Sequence, residues 1–255
     1  MSFENKVVVV TGASSGIGRA TAVAFGRDRA AVVAVGRDGE ELKAVITAIL
    51  DAGGRGQITI ADVTRPEAPA QIVASAMNTF GGIDVVVNAA GVIGMGTVEN
   101  TSDEDWDAMM DINVRAPFRL IRAAAPHLVA RQGCVVNVSS VTGLRSFPGI
   151  LAYCVSKAAV DQLTRCAALE LAAAGVRVNA VNPGVVITNL HRRAGMQEDT
   201  YAAFLARSRE THPLGRPGEP EEVADLIVFL ASDRAAWITG ETVAVDGGRH
   251  LTCAR

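Results

Sequence analysis

Lys6-Val7-Val8-Val9-Val10-Thr11-Gly12-Ala13-Ser14-Ser15-Gly16-Ile17-Gly18-Arg19-Ala20-Thr21-Ala22-Val23-Ala24-Phe25 is the stretch whose reading decides the fold. The β-branched run at 6–10 is too short for a buried helix and reads as a strand, three glycines follow, and a helical pattern opens behind them. Strand, glycine turn and helix in that order form a cradle for a dinucleotide. Gly12 permits the tight turn, and Gly16 lets backbone N–H groups approach a pyrophosphate at the positive end of the helix. Gly18 lets the helix pack closely on the strand. The spacing is G-x-x-x-G-x-G and not the general G-x-G-x-x-G, so its force comes from its place between a strand and a helix.

Outward from this unit, strand-like runs at 6–10, 31–36, 57–61, 84–88, 133–138, 176–182 and 241–245 alternate with helical patterns near 16–28, 39–52, 66–80, 102–130, 152–174 and 219–232. Such alternation predicts an α/β fold, a doubly wound parallel sheet of seven strands with helices on both faces. No repeat, low-complexity segment or Pro/Gly linker divides the chain, so residues 1–255 are expected to form one domain. The stretch 188–218 is the one long irregular segment, and it is expected to be a functional lid. A chain of 255 residues with 49% hydrophobic and 20% charged side chains can bury about three quarters of its unfolded surface without metals or disulfides.

The net charge of −3, with no basic stripe interleaved with aromatics, argues against nucleic acid as a partner. Cys134, Cys154, Cys166 and Cys253 show no C-x-x-C spacing, so neither a metal site nor a disulfide framework is expected. The start Met1-Ser2-Phe3-Glu4-Asn5-Lys6 lacks a signal-peptide pattern, and no apolar run approaches the ~18 residues of a membrane span. A cytoplasmic location, away from membranes, is the expectation.

Tyr153 and Lys157, in Ala152-Tyr153-Cys154-Val155-Ser156-Lys157, stand four apart on one helical face. A free tyrosine titrates near ~10 and is a poor acid at neutral pH, but a neighbouring ammonium favours the phenolate and lowers that value. The pair is therefore a usable proton donor for a carbonyl being reduced. Ser140 lies thirteen positions upstream, at the end of an apolar run.

Thr11-Gly12-x-x-x-Gly16-x-Gly18, Asp62-Val63, Asn88-Ala89-Ala90-Gly91, Asn113, Ser140, Tyr153-x-x-x-Lys157 and Asn182-Pro183-Gly184 together resemble the short-chain dehydrogenase/reductase family in its compact single-domain form, over residues 6 to about 248. The resemblance implies a hydride transfer between a nicotinamide cofactor and a ketone or secondary alcohol. Tyr153 would be the general acid/base, Ser140 would hydrogen-bond the substrate oxygen, and Lys157 would hold the tyrosine acidic and reach the ribose. Asn113 would interrupt the 102–130 helix and hold a water that relays protons to Lys157; an amide merely capping a kink is the other reading. The thirteen-residue separation favours Ser140 over Ser139.

The resemblance also carries cofactor contacts onto Gly12, Ser14, Ser15, Gly16, Ile17 and Gly18. Asp62 and Val63 would meet the adenine, with a plain turn carboxylate as the alternative for Asp62. Asn88, Ala90 and Gly91 would close against the glycine loop, and Pro183, Gly184, Val186 and Thr188 would meet the nicotinamide. NAD-users of this fold place a carboxylate at the end of the second strand, and here that slot falls on Gly36, followed by Arg37, whose guanidinium suits a 2′-phosphate. NADP is expected in preference to NAD, unless the strand ends later and Asp38 takes the ribose.

For the substrate, Leu144, Phe147 and Ile150 with a lid helix carrying Tyr201, Phe204 and Leu205 predict an apolar pocket. Arg145, His191, Arg192 and Arg193 are either solvated or offer a site for an anionic group. The overall pattern is nearest the family's 3-oxoacyl-carrier-protein reductases, which dock their carrier with two arginines; Arg131 matches one, but Ala174 stands at the other. Apolar outer faces at Phe118, Ile121, Leu163 and Leu169, with the resemblance, imply a homotetramer. An NAD-dependent alcohol dehydrogenase of the same fold and a non-catalytic NADP sensor or scaffold are the competing readings. An extended-branch epimerase lacks its turn pattern here, and an enoyl reductase would space Tyr and Lys farther apart.

Overall fold

The computed structural model describes residues 2–252, so Cys253 lies outside the described residues. The strands are β1 (Val7–Thr11), β2 (Ala31–Gly36), β3 (Arg55–Ile60), β4 (Val85–Asn88), β5 (Cys134–Val138), β6 (Arg177–Pro183) and β7 (Thr242–Val245). They form one parallel sheet in the order β3-β2-β1-β4-β5-β6-β7. The helices are α1 (Gly16–Arg27), α2 (Gly39–Asp51), α3 (Ala68–Phe80), α4 (Asp103–Met110), α5 (Ala116–Arg131), α6 (Val141–Leu144), α7 (Leu151–Leu171), α8 (Leu190–Arg193), α9 (Glu198–Thr211) and α10 (Pro220–Ala231).

Strands buried on both faces have no use for alternation with polar residues, which is why β1 is nearly all valine. Val8 and Val10 pack toward one side with Phe25, Leu42, Val45 and Ile227, while Val7 and Val9 pack toward the other with Ile72, Leu120 and Leu128. Each buried valine contributes roughly 1.5 kcal/mol or more. The strand order reverses direction between β1 and β4, and the crevice outside the carboxyl ends of strands at such a switch point is where ligands bind. Gly12 and Asn88 both open into it, paired through Thr11 and Asn88.

Three elements differ from the periodicity reading. β3 begins at Arg55 and takes in Gly56, which pair with Ala31 and Val32 of β2, and a Cβ at Gly56 would stand 2.7 Å from Cδ1 of Ile46 in α2. The long 102–130 segment is α4, one π-helical turn at Asp111–Arg115, and α5. The 188–218 stretch holds two helices, α8 and α9. Ile121 is not on an outer face: it is buried with Leu120, Ala124 and Leu128 on the sheet side of α5, and Leu163 packs against the same core. Phe118 and Leu169 do point outward. Among the described residues no helix is long and apolar enough to cross a membrane, and no group of three His, Cys, Asp or Glu is placed to hold a metal.

Candidate active site

Ser140 leaves β5 as the N-cap of α6, its Oγ accepting the Thr142 N–H at 3.1 Å. Tyr153 and Lys157 occupy successive turns of α7, and all three side chains are buried. Burial pushes the Tyr153 phenol up to about 12, with a hydrogen bond to Ser140 pulling the other way. It pushes the Lys157 ammonium down to about 8, against the pull of Asp161. The ammonium sits 5.6 Å from the ring centroid and donates to the Val138 carbonyl at 2.9 Å, and desolvation is the largest influence on both groups.

Asn113 lies in the π turn and is buried. Its Oδ1 accepts the Val92 N–H at 3.0 Å, while its Nδ2 donates to the Val92 carbonyl and to Ser156 Oγ, each at 3.0 Å. These bonds tie the helix to the turn after β4, a fixed pull of the kind that accompanies a π-bulge. A Cβ on Gly91 would stand 3.3 Å from Asn113 Oδ1 and 3.6 Å from Lys157 Nζ, so the β4 turn abuts the Tyr153–Lys157 face.

The glycine loop has the shape of a phosphate cradle. Gly12 has φ +67°, and a Cβ there would lie 2.8 Å from Ala90 N; Gly16 has φ +53° and faces the Thr188 methyl. A Cβ on Gly18 would strike the Gly12 carbonyl oxygen. Ser15, the N-cap of α1, makes no capping bond through its side chain, so the first-turn N–H groups of a twelve-residue helix remain open to an anion. Ser14 lies against Gly36, since a Cβ on that glycine would be 3.4 Å from Ser14 Oγ.

β2 ends at Gly36, with Arg37 exposed beyond it. Asp38 is the N-cap of α2, its Oδ1 accepting the N–H groups of Glu40 at 3.1 Å and Glu41 at 3.2 Å, a job that already occupies it. Asp62 accepts the Thr64 N–H at 3.0 Å and the Thr64 hydroxyl at 2.8 Å, which hold its carboxyl below the usual range, helped by the charges of Arg37 and Arg65. Val63, Asn88 and Ala90 line a crevice together with Thr11, Ile112 and Ala116. The partners that a buried Asn88 requires come from within the sheet: Asn88 Nδ2 donates to Asn137 Oδ1 at 2.8 Å, and Asn137 Nδ2 to Thr164 Oγ1 at 2.9 Å.

Pro183 closes β6, and Gly184, buried Val186 and Thr188 follow it, the Thr188 methyl against Gly16. Tyr201 departs from its expected place. It does not line an open pocket but is buried, its hydroxyl donating to the Thr188 carbonyl at 3.0 Å and its ring under Arg192 at 4.0 Å. Two of the cations are committed elsewhere: Arg192 makes a two-pronged pair with Glu198 at 2.7 and 2.8 Å, and Arg145 donates to the carbonyls of His250 and Thr252. Burial holds His191 toward its neutral form beside Phe204. Leu144 and Met95 remain exposed.

Sequence reasoning named Thr11 in the motif but gave it no role, and it missed Ile112, Asp161 and His212. Thr11 Oγ1 accepts the N–H groups of Ala89 and Ala90, pinning the β4 turn to the glycine loop. Asp161, buried one turn after Lys157, takes Asn182 Nδ2 at 3.0 and 3.1 Å, and that same amide donates to the Ser140 carbonyl at 2.9 Å. The four-residue step from Lys157 was the signal that would have found it.

With this geometry in hand, residues 12–250 match the family described as Enoyl-(Acyl carrier protein) reductase. The 3-oxoacyl-[acyl-carrier-protein] reductase FabG of Thermotoga maritima is 37% identical, covering 97% of this chain and 99% of that one. A short-chain dehydrogenase/reductase of unknown function from Caenorhabditis elegans, solved with cofactor, superimposes with a TM-score of 0.93 at 38% identity, over 98% of this chain and 97% of that one. L-sorbose reductase from Gluconobacter frateurii, complexed with NADPH and L-sorbose, superimposes with a TM-score of 0.91 at 32% identity over 99% of each chain. A doubly wound parallel sheet, a glycine cradle at its switch point and relatives of this closeness along nearly the whole length lead to one assignment: the chain belongs to the short-chain dehydrogenase/reductase family of oxidoreductases.

Proposed function

We propose that this protein is an NADP(H)-dependent oxidoreductase that interconverts a ketone and a secondary alcohol, with Tyr153 as proton donor in the reductive direction. The observation that carries the reading is the convergence of Ser140, Tyr153 and Lys157 beside a glycine cradle whose shape a Cβ at Gly12 or Gly18 would destroy. The cradle fits a dinucleotide, with the open N–H groups of α1 toward the pyrophosphate and Gly12, Ser14, Ser15, Gly16, Ile17 and Gly18 around it. Asp62 and Val63 take the adenine side, Asn88, Ala90 and Gly91 close against the glycine loop, and Pro183, Gly184, Val186 and Thr188 take the nicotinamide side. When bound, the cofactor supplies the hydride that the carbonyl carbon receives.

At neutral pH the phenol, held at about 12, keeps its proton. It yields that proton as negative charge grows on the substrate oxygen, which the Ser140 hydroxyl also contacts. Lys157, at about 8, lies near its own titration point and serves as the next proton source, with Asn113 shaping the π turn beside it.

Arg37 beyond the bare end of β2, and Asp38 occupied in capping α2, favour the 2′-phosphate of NADP over a free ribose hydroxyl. Leu144, Met95 and Phe204 favour a medium-sized apolar ketone over a sugar, and the commitment of Arg145 and Arg192 to internal partners disfavours an anionic substrate. The outward Phe118 and Leu169, with the family resemblance, support a homotetramer, which size-exclusion chromatography at micromolar concentration checks. The deciding experiment pairs NADPH with a panel of ketones, diketones and ketoses. Turnover of apolar carbonyls is the expected result, and turnover confined to hydrophilic sugars or polyols would overturn the substrate reading.

A further inference from the structure

Helix α9 grips the segment after β6 at both of its ends. In its first turn the Tyr201 hydroxyl donates to the Thr188 carbonyl at 3.0 Å. At its C-cap, His212 Nε2 accepts the Val185 N–H at 3.2 Å, and a Cβ on Gly184 would stand 2.9 Å from the same nitrogen. The imidazole is buried, and its Nδ1 lies 3.0 Å from the Ser208 carbonyl. A carbonyl only accepts and a backbone N–H only donates, so the proton belongs on Nδ1 and the lone pair on Nε2. These two neighbours define a neutral ring in one tautomer.

We propose that His212 is a positioning residue for the nicotinamide end of the cofactor site, its neutral ring fixing the 183–188 segment through Val185 so that lid helix and cofactor loop are held as one unit. The inference rests on the reading of that segment as the nicotinamide contact. Protonation would set an N–H against the Val185 N–H and release the hold, so this ring accounts for at least half of the weakening of cofactor binding in acid. The charged groups that face His212 come from the 246–249 turn: Asp246 favours the protonated ring, while Arg249, together with burial, disfavours it. His250, bonded to Asp246 at 2.9 Å, is a histidine that needs a control.

The test is equilibrium binding by fluorescence titration at pH 7.5 and 5.5 for the wild type, His212→Leu, His212→Gln and His250→Gln. NADPH is one ligand. Adenosine 2′,5′-bisphosphate, which carries the phosphates of the adenine end and no nicotinamide, is the other. His212→Leu should weaken NADPH about tenfold at pH 7.5 and leave the bisphosphate unchanged. His212→Gln presents a carbonyl oxygen to Val185 that does not titrate; it should bind NADPH within about threefold of the wild type at pH 7.5 and lose at least half of the acid weakening, which His250→Gln retains. A leucine variant that binds NADPH as tightly as the wild type, or that weakens both ligands alike, overturns the inference. If the leucine variant fails to fold, equal acid weakening in the wild type and His212→Gln overturns it. A wild type that binds neither ligand overturns the cofactor reading and this inference with it, whereas the other failures leave the cofactor reading standing.

Discussion

Replacing Lys157 by Met removes the ammonium while keeping the length of the stem, and the energetics of that change can be worked from its surroundings. The lysine is buried, and desolvation lowers it from an ordinary value of 10.5 to about 8. At ~1.36 kcal/mol for each tenfold change in acidity, keeping it charged at neutral pH disfavours the fold by roughly 3 kcal/mol. Between pH 8 and 10.5 the unfolded chain binds this proton and the folded chain does not, so the contribution of Lys157 to stability rises with pH across that window. Below about pH 8 the penalty is present in full. Methionine carries no such dependence. The substitution also leaves the Val138 carbonyl without its donor, which costs about 1–3 kcal/mol at every pH and blurs the absolute difference between the two proteins. The pH dependence of that difference is unaffected. Urea unfolding of both proteins without cofactor, at pH 7 and pH 10, should show the wild type gaining roughly 2 kcal/mol on the variant at the higher pH. A difference that stays constant to within about 0.5 kcal/mol would refute the claim that burial dominates this lysine. Turnover by the variant should be lost at either pH.

Arg37→Ala should weaken NADPH by about ten- to a hundredfold and leave NADH nearly unchanged; equal losses for both cofactors, or a wild type that prefers NADH, would place specificity elsewhere. Asp38→Ala should lower stability by about 1 kcal/mol through loss of the α2 cap, with the ratio of NADPH to NADH affinity unchanged. A shifted ratio would show that Asp38 meets the ribose after all.

The fold was legible because its signals are local. The valine run of β1, the glycine turn and the start of α1 lie within twenty residues, and the same alternation repeats along the chain. The misreadings arose where distant groups decide a local matter. Gly56 belongs to β3 because it pairs with Val32 of β2, and α4 and α5 part at a π turn beside the bonds between Asn113 and Val92. The sequence pattern placed Tyr201 on an apolar lid, yet its hydroxyl requires a partner, and the Thr188 carbonyl supplies one inside the fold. The tyrosine–lysine spacing was visible, whereas the raised phenol was not, since burial is a property of the packed helix and not of the four-residue step. A lone histidine such as His212 gives no periodic signal; only the two groups facing its nitrogens show its use.

The most direct test of the account is Tyr153→Phe, which removes one hydroxyl from the reacting centre and leaves the glycine cradle and the 183–188 segment intact. NADPH affinity and single-turnover hydride transfer to the best ketone of the panel would be measured on the same preparation. NADPH should bind within about threefold of the wild type while transfer falls by ~10²–10⁴-fold, the range expected for loss of a general acid. Retention of more than about a tenth of the wild-type rate would contradict the assignment of Tyr153 as proton donor.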